Sequence, residues 1–112
     1  MITVEGLKEY GAAVDEGLAR CMNNEAFYLR MVEKAVKDPA FDSLKNAIES
    51  DDLDEAFEAA HRLKGALANL ALTPVSEPVE EMVELLRGRE EADYSVCIDR
   101  IEAKRKLLED ML

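Results

Sequence analysis

The sequence predicts an all-α protein: an antiparallel up-down four-helix bundle preceded by short N-terminal helices. Three observations carry that expectation. Three prolines and five glycines punctuate 112 residues, too few for many short strands and their turns. Apolar residues recur at helical spacing through nearly the whole chain. The breaks between the longest amphipathic stretches are short, which turns successive helices back on one another. The length suits a single domain, residues 1–112, read as an arm over 1–21 and a bundle over 24–112. With 48% hydrophobic and 35% charged residues the chain can bury a core, so disorder is not expected.

Each element has its own signal. Met1 to Cys21 reads as two short helices broken around Gly11, with Asp15 placed to cap the second. Asn24 or Asn23 can cap the next helix, whose apolar residues are Phe27, Leu29, Met31, Val32 and Val36. Asp38-Pro39 interrupts it, since a residue before proline is pushed out of the helical region. Ser43 to Ser50 resumes the spacing through Leu44, Ala47 and Ile48. The clearest pattern follows Ser50-Asp51-Asp52. Leu53, Ala56, Phe57, Ala60, Leu63, Leu67 and Leu70 draw one stripe along about five turns. Thr73-Pro74 reads as an N-cap followed by the first helical residue. The helix it opens carries Val75, Val79, Met82, Val83 and Leu86 and ends near Gly88. Pro78 is awkward inside it, because it loses a ladder bond and crowds the first turn. Glu91 to Leu112 forms the last helix, with Val96, Cys97, Ile101, Leu108 and Met111 or Leu112 facing inward.

Composition excludes several functions. Lys plus Arg number 14 against 25 Asp plus Glu, a formal charge of -11 that repels a phosphate backbone, so nucleic acid is not an expected partner. The longest nearly apolar run, Ala66 to Leu72, contains Asn69 and is far too short to cross a membrane. Met-Ile-Thr-Val-Glu-Gly has neither the basic nor the apolar part of a secretory signal, so a cytoplasmic location is expected. Cys21 and Cys97 form no metal-ligand spacing and read as small buried hydrophobes; Met22, Met31, Met82 and Met111 read as core filler. The acidic runs Glu49 to Glu55 and Glu80 to Glu91 read as solvated faces. A di-metal bundle needs Glu-x-x-His pairs from two helices, and the chain has one histidine. A nucleotide-binding kinase would need a glycine-rich phosphate loop after a strand, and the sequence offers neither.

That histidine, His61, lies in the best-defined helix, one residue from the core position Ala60 and so about 100° around the axis. It belongs at the margin of the apolar stripe or beyond, within reach of solvent. Lys64, Gly65 and Ala68 follow at three, four and seven residues. Gly65 is the oddity, because glycine inside a helix costs roughly 1 kcal/mol relative to alanine. Close helix packing could explain it. Its place beside His61 instead suggests that another protein must approach the backbone there. Lys64 would add a cation able to neutralise phosphoryl oxygens as a point charge.

Ala60-His61-Arg62-Leu63-Lys64-Gly65, continuing through Ala66-Leu67-Ala68-Asn69-Leu70, resembles the His-x-Leu-Lys-Gly segment of histidine phosphotransfer (HPt) domains. The Gly-x-x-x-Asp-x-Gly-Leu-x-Arg stretch from Gly11 to Arg20, Phe27-Tyr28-Leu29, Asp51-Asp52-Leu53 and Leu72-Thr73-Pro74 are similar to that family too. The resemblance implies a phosphocarrier in a two-component phosphorelay rather than an enzyme. His61 would take a phosphoryl group on Nε2 from a receiver-domain aspartate and return it or pass it on. Lys64 would stabilise the phosphoryl group, and Gly65 with Ala68 would form the docking surface. The implied partners are response-regulator receiver domains and a hybrid sensor histidine kinase. Mg²⁺ would belong to the receiver, leaving this chain without a metal or cofactor, and a monomer is expected. The sequence departs from the family pattern at two places: Ala71 stands where glycine is common after the Asn-Leu pair. Val83 stands where many members carry a polar side chain that hydrogen-bonds the imidazole, and Glu81 or Glu84 could substitute. The competing readings are an adaptor bundle that binds a partner without chemistry, and a lone surface histidine with no duty. A hydrolase using His61 as general base lacks a Ser or Thr near it in sequence.

Overall fold

The computed structural model describes residues 1–89 and 93–112, and among them there are seven α-helices and no strand. They are α1 (Val4–Tyr10), α2 (Val14–Arg20), α3 (Glu25–Val36), α4 (Ala40–Glu49), α5 (Leu53–Asn69), α6 (Thr73–Arg87) and α7 (Tyr94–Glu109). The all-helical expectation holds. Helix α5 packs between α4 and α6, α6 continues onto α7, and α7 returns to touch α3 and α4. One apolar core joins them, from Ile2 and Leu7 in the arm to Ile101 and Leu108 in α7. No described helix is long and apolar enough to cross a membrane.

Local chemistry explains most of the boundaries. Gly11 ends α1 with φ 109°, in the left-handed region open to glycine. Asn24 caps α3 by accepting from Phe27 N–H at 3.0 Å, and Asp52 caps α5 by accepting from Glu55 N–H at 3.1 Å. Pro78 is buried within an unbroken α6.

Several expectations are corrected. Asp15 does not cap α2: the cap residue is Ala13, whose N–H donates to the Ala71 carbonyl at 3.0 Å. A long-range backbone bond therefore sets that helix start. Thr73 is the first residue of α6 rather than its cap, because the helix begins on the fully buried Leu72, whose carbonyl accepts from Ser76 N–H at 2.9 Å. Helix α4 starts at Ala40 rather than Ser43, since the Asp38 carboxylate accepts from Ala40 N–H at 2.9 Å. Met22 is 88% exposed at a turn with positive φ and fills no core.

The last helix is shorter than Glu91 to Leu112, running from Tyr94 to Glu109; the expected start at Glu91, like the end of the acidic run from Glu80, lies outside the described residues. Val96 is 53% exposed, and Ile98 takes the inward position with Ile101 and Leu108. Arg105 sits between them on the same face. Its guanidinium carbon lies 4.4 Å from the Phe41 ring centroid, and its Nε donates to the Val36 carbonyl at 3.0 Å. Met111 is half-buried and Leu112 exposed.

Candidate functional site

Helix α5 is anchored on one face and bare on another. Ala56, Ala60, Leu63 and Leu67 are fully buried between α4 and α6. Asp54 and Glu55 in the first turn suit the positive end of the helix dipole. The other end is closed with unusual completeness. Leu72 N–H donates to Leu67 O at 3.1 Å and Ala71 N–H to Ala68 O at 3.0 Å, the paired bonds of a Schellman turn. The N-terminal helices supply the remaining donors. Arg20 Nη1 donates to Ala68 O at 2.8 Å and Asn69 O at 3.2 Å, and the buried Tyr28 hydroxyl donates to Leu70 O at 2.9 Å. The carbonyls of Leu67, Ala68, Asn69 and Leu70 thus all have partners.

The opposite face carries the four residues singled out above. His61 and Gly65 are exposed, Lys64 and Ala68 are half-buried, and their spacing puts them on one side of α5. A Cβ built on Gly65 would meet nothing within 4 Å. Close helix packing therefore does not account for this glycine. Lys64 makes no ion pair among the described residues, whereas the neighbouring Arg62 reaches Asp38 at 3.4 Å. The structure brings His61, Lys64, Gly65 and Ala68 together as one surface.

No hydrogen bond holds the imidazole among the described residues. Val83 is fully buried in the core. Neither carboxylate considered as its substitute turns to His61: Glu81 binds Arg100 at 2.5 Å, and Glu84 pairs with Arg87 at 3.4 Å. The Glu81 carboxylate raises the Arg100 guanidinium pKa further, by hydrogen bonding and by charge. What touches the imidazole is Phe57, one turn earlier, with ring centroids 5.8 Å apart and planes tilted by 36°. The sequence reading assigned Phe57 to the core stripe alone, although its spacing of four residues from His61 already made the two neighbours. The ring is half-buried, and the Arg87 guanidinium carbon lies 5.9 Å from its centroid.

An open groove of about 500 Å³ runs beside this stack between the start of α5 and the end of α6, lined in part by Asp54, Phe57, Leu86, Arg87 and Arg89. Arg89 contacts Asp54 across it. His61 does not line the groove. A reactive side chain outside a concavity suits a protein partner better than a small substrate, which needs enclosure. Cys21 is buried and Cys97 half-buried, and burial pushes the Cys97 thiol up, away from the thiolate a nucleophile requires. Among the described residues no three metal-ligating side chains converge.

The sequence profile of the Hpt domain family matches residues 37–112, which takes in α4 to α7 and all four site residues. Helices α1 to α3, of which α2 and α3 supply the donors that close the end of α5, lie outside the match. No curated protein and no solved structure gives a significant match to the chain.

Proposed function

The chain belongs to the Hpt domain family, whose members work in histidine phosphotransfer within phosphorelays, and from that premise we propose that His61 is its phosphoryl-carrying residue. The observation that carries the reading is the bare surface of α5. An exposed imidazole stands beside a lysine that makes no ion pair, and a glycine whose missing side chain would touch nothing, among the described residues. Such a surface is shaped by what docks on it. Histidine is also the side chain whose neutral, nucleophilic form is abundant near pH 7.

The transfer needs no group beyond those on the two proteins. A ring nitrogen of His61, Nε2, attacks the phosphorus of a receiver aspartyl phosphate. The N–P bond forms as the P–O bond to the aspartate breaks, and the carboxylate leaves with the electron pair. Lys64 offsets charge on the phosphoryl oxygens, while Gly65 and Ala68 let the receiver backbone come close. The acidic pocket and Mg²⁺ belong to the receiver, so this chain is a phosphocarrier without a nucleotide site, metal or cofactor. The same reading takes residues 1–112 as one unit, a cytoplasmic monomer phosphorylated through a receiver and its hybrid sensor kinase. It treats residues 24–112 as an antiparallel up-down four-helix bundle carrying the N-terminal arm over 1–21. Short turns between α4, α5 and α6, and the return of α7 onto α4, support that arrangement.

The test is phosphoryl transfer from a receiver loaded with a small-molecule phosphodonor, run on the native chain and on His61→Gln. An acid-labile, base-stable label on the native chain alone is expected. Absence of label from several receivers would leave an adaptor that docks without chemistry.

A further inference from the structure

We propose that Phe57 is a positioning residue for His61, holding the imidazole by ring contact where no hydrogen bond among the described residues does so. The proposal rests on the phosphocarrier reading and deepens it. An exposed side chain without a hydrogen-bond partner ordinarily samples several rotamers, and each misplaced one delays an in-line attack. Side chains on a helix lean toward its N-terminus, so residue 57 is what residue 61 leans over.

The observed geometry fits that role. A centroid separation of 5.8 Å with a 36° tilt lies within the range of attractive aromatic pairs. Phe57 is itself restrained, being half-buried against the core and flanked by Leu86 in the groove. Arg87 reaches the ring from α6 at 5.9 Å, within cation–π distance, and Glu84 pairs with Arg87 at 3.4 Å. A chain of contacts therefore runs from α6 through Arg87 and Phe57 to the imidazole. Ring contact has one chemical advantage over a carboxylate or amide acceptor. It restrains the imidazole through its ring face and occupies neither nitrogen, so one can meet phosphorus as the other exchanges its proton with water.

The experiment compares the native chain with Phe57→Leu and Phe57→Tyr in transfer from a phosphorylated receiver. Melting curves confirm folding, and the His61 ring-proton signals are followed by NMR. Phe57→Leu is expected to slow transfer roughly 2- to 12-fold, the factor corresponding to the usual worth of an aromatic pair. Its imidazole signals should move as the ring current disappears, and Phe57→Tyr should restore both rate and signals. Native-rate transfer by folded Phe57→Leu would overturn the proposal, as would imidazole signals indifferent to that change or slow transfer by Phe57→Tyr. Failure of the phosphocarrier reading looks different: there the native chain itself takes no label, and the positioning role falls with it.

Discussion

Gly17 and Gly65 each sit inside a helix, where glycine is locally unfavourable, yet their surroundings are opposite. A Cβ at Gly17 would lie 2.5 Å from Tyr28 Cε1 and 2.7 Å from the Leu70 carbonyl oxygen; one at Gly65 would meet nothing within 4 Å. The first glycine serves the molecule's own packing, because its missing side chain leaves room for the Tyr28 ring and the Leu70 carbonyl that Tyr28 bonds. The second serves nothing inside the molecule. Two identical residues thus mark the two sides of α5, one fastened by the N-terminal helices and one open.

That contrast can be broken by substitution. The largest effect on stability is expected from Gly17→Ala, which must displace a backbone carbonyl and should cost about 1–3 kcal/mol in urea unfolding, toward the upper end. Tyr28→Phe removes the hydroxyl bonded to Leu70 O within the same fastening. It should cost about 1–2 kcal/mol by the same measurement, since a buried acceptor is left unpaired. Ala71 adopts φ 57° in the turn that ends α5. Ala71→Gly is therefore expected to raise stability, by up to about 1 kcal/mol, visible as a higher melting temperature. If Gly17→Ala proved as harmless as a change on the open face, the two glycines would not differ as described.

The legible parts of the fold are those set by local chemistry. The stripe from Leu53 to Leu67 lies on one helix, with Leu70 at its C-cap, because its periodicity is unambiguous, and Asn24 and Asp52 cap their helices as their side chains suit them to do. Helix starts set by distant contacts were not legible: Ala13 binds the Ala71 carbonyl, and Leu72 is held by burial, so neither Asp15 nor Thr73 is needed as a cap. On α7 the expected Ile101 and Leu108 do face inward, whereas Val96 is exposed and Ile98 takes its place. Arg105, on the same face, lies over Phe41 and caps the end of α3 through Val36 O. In the site, the His61, Lys64, Gly65 and Ala68 face followed from spacing alone. Its support did not, because Arg20, Tyr28 and Arg87 reach α5 from other helices across the chain.

The most direct measurement is phosphoryl transfer to Gly65→Leu beside the native chain, with melting curves on both. The open space at Gly65 and the better helix propensity of leucine lead us to expect a variant at least as stable as the native chain. Its transfer should collapse, because the leucine stands where the receiver must dock. A folded Gly65→Leu that accepts phosphoryl at the native rate would contradict the assignment of this surface.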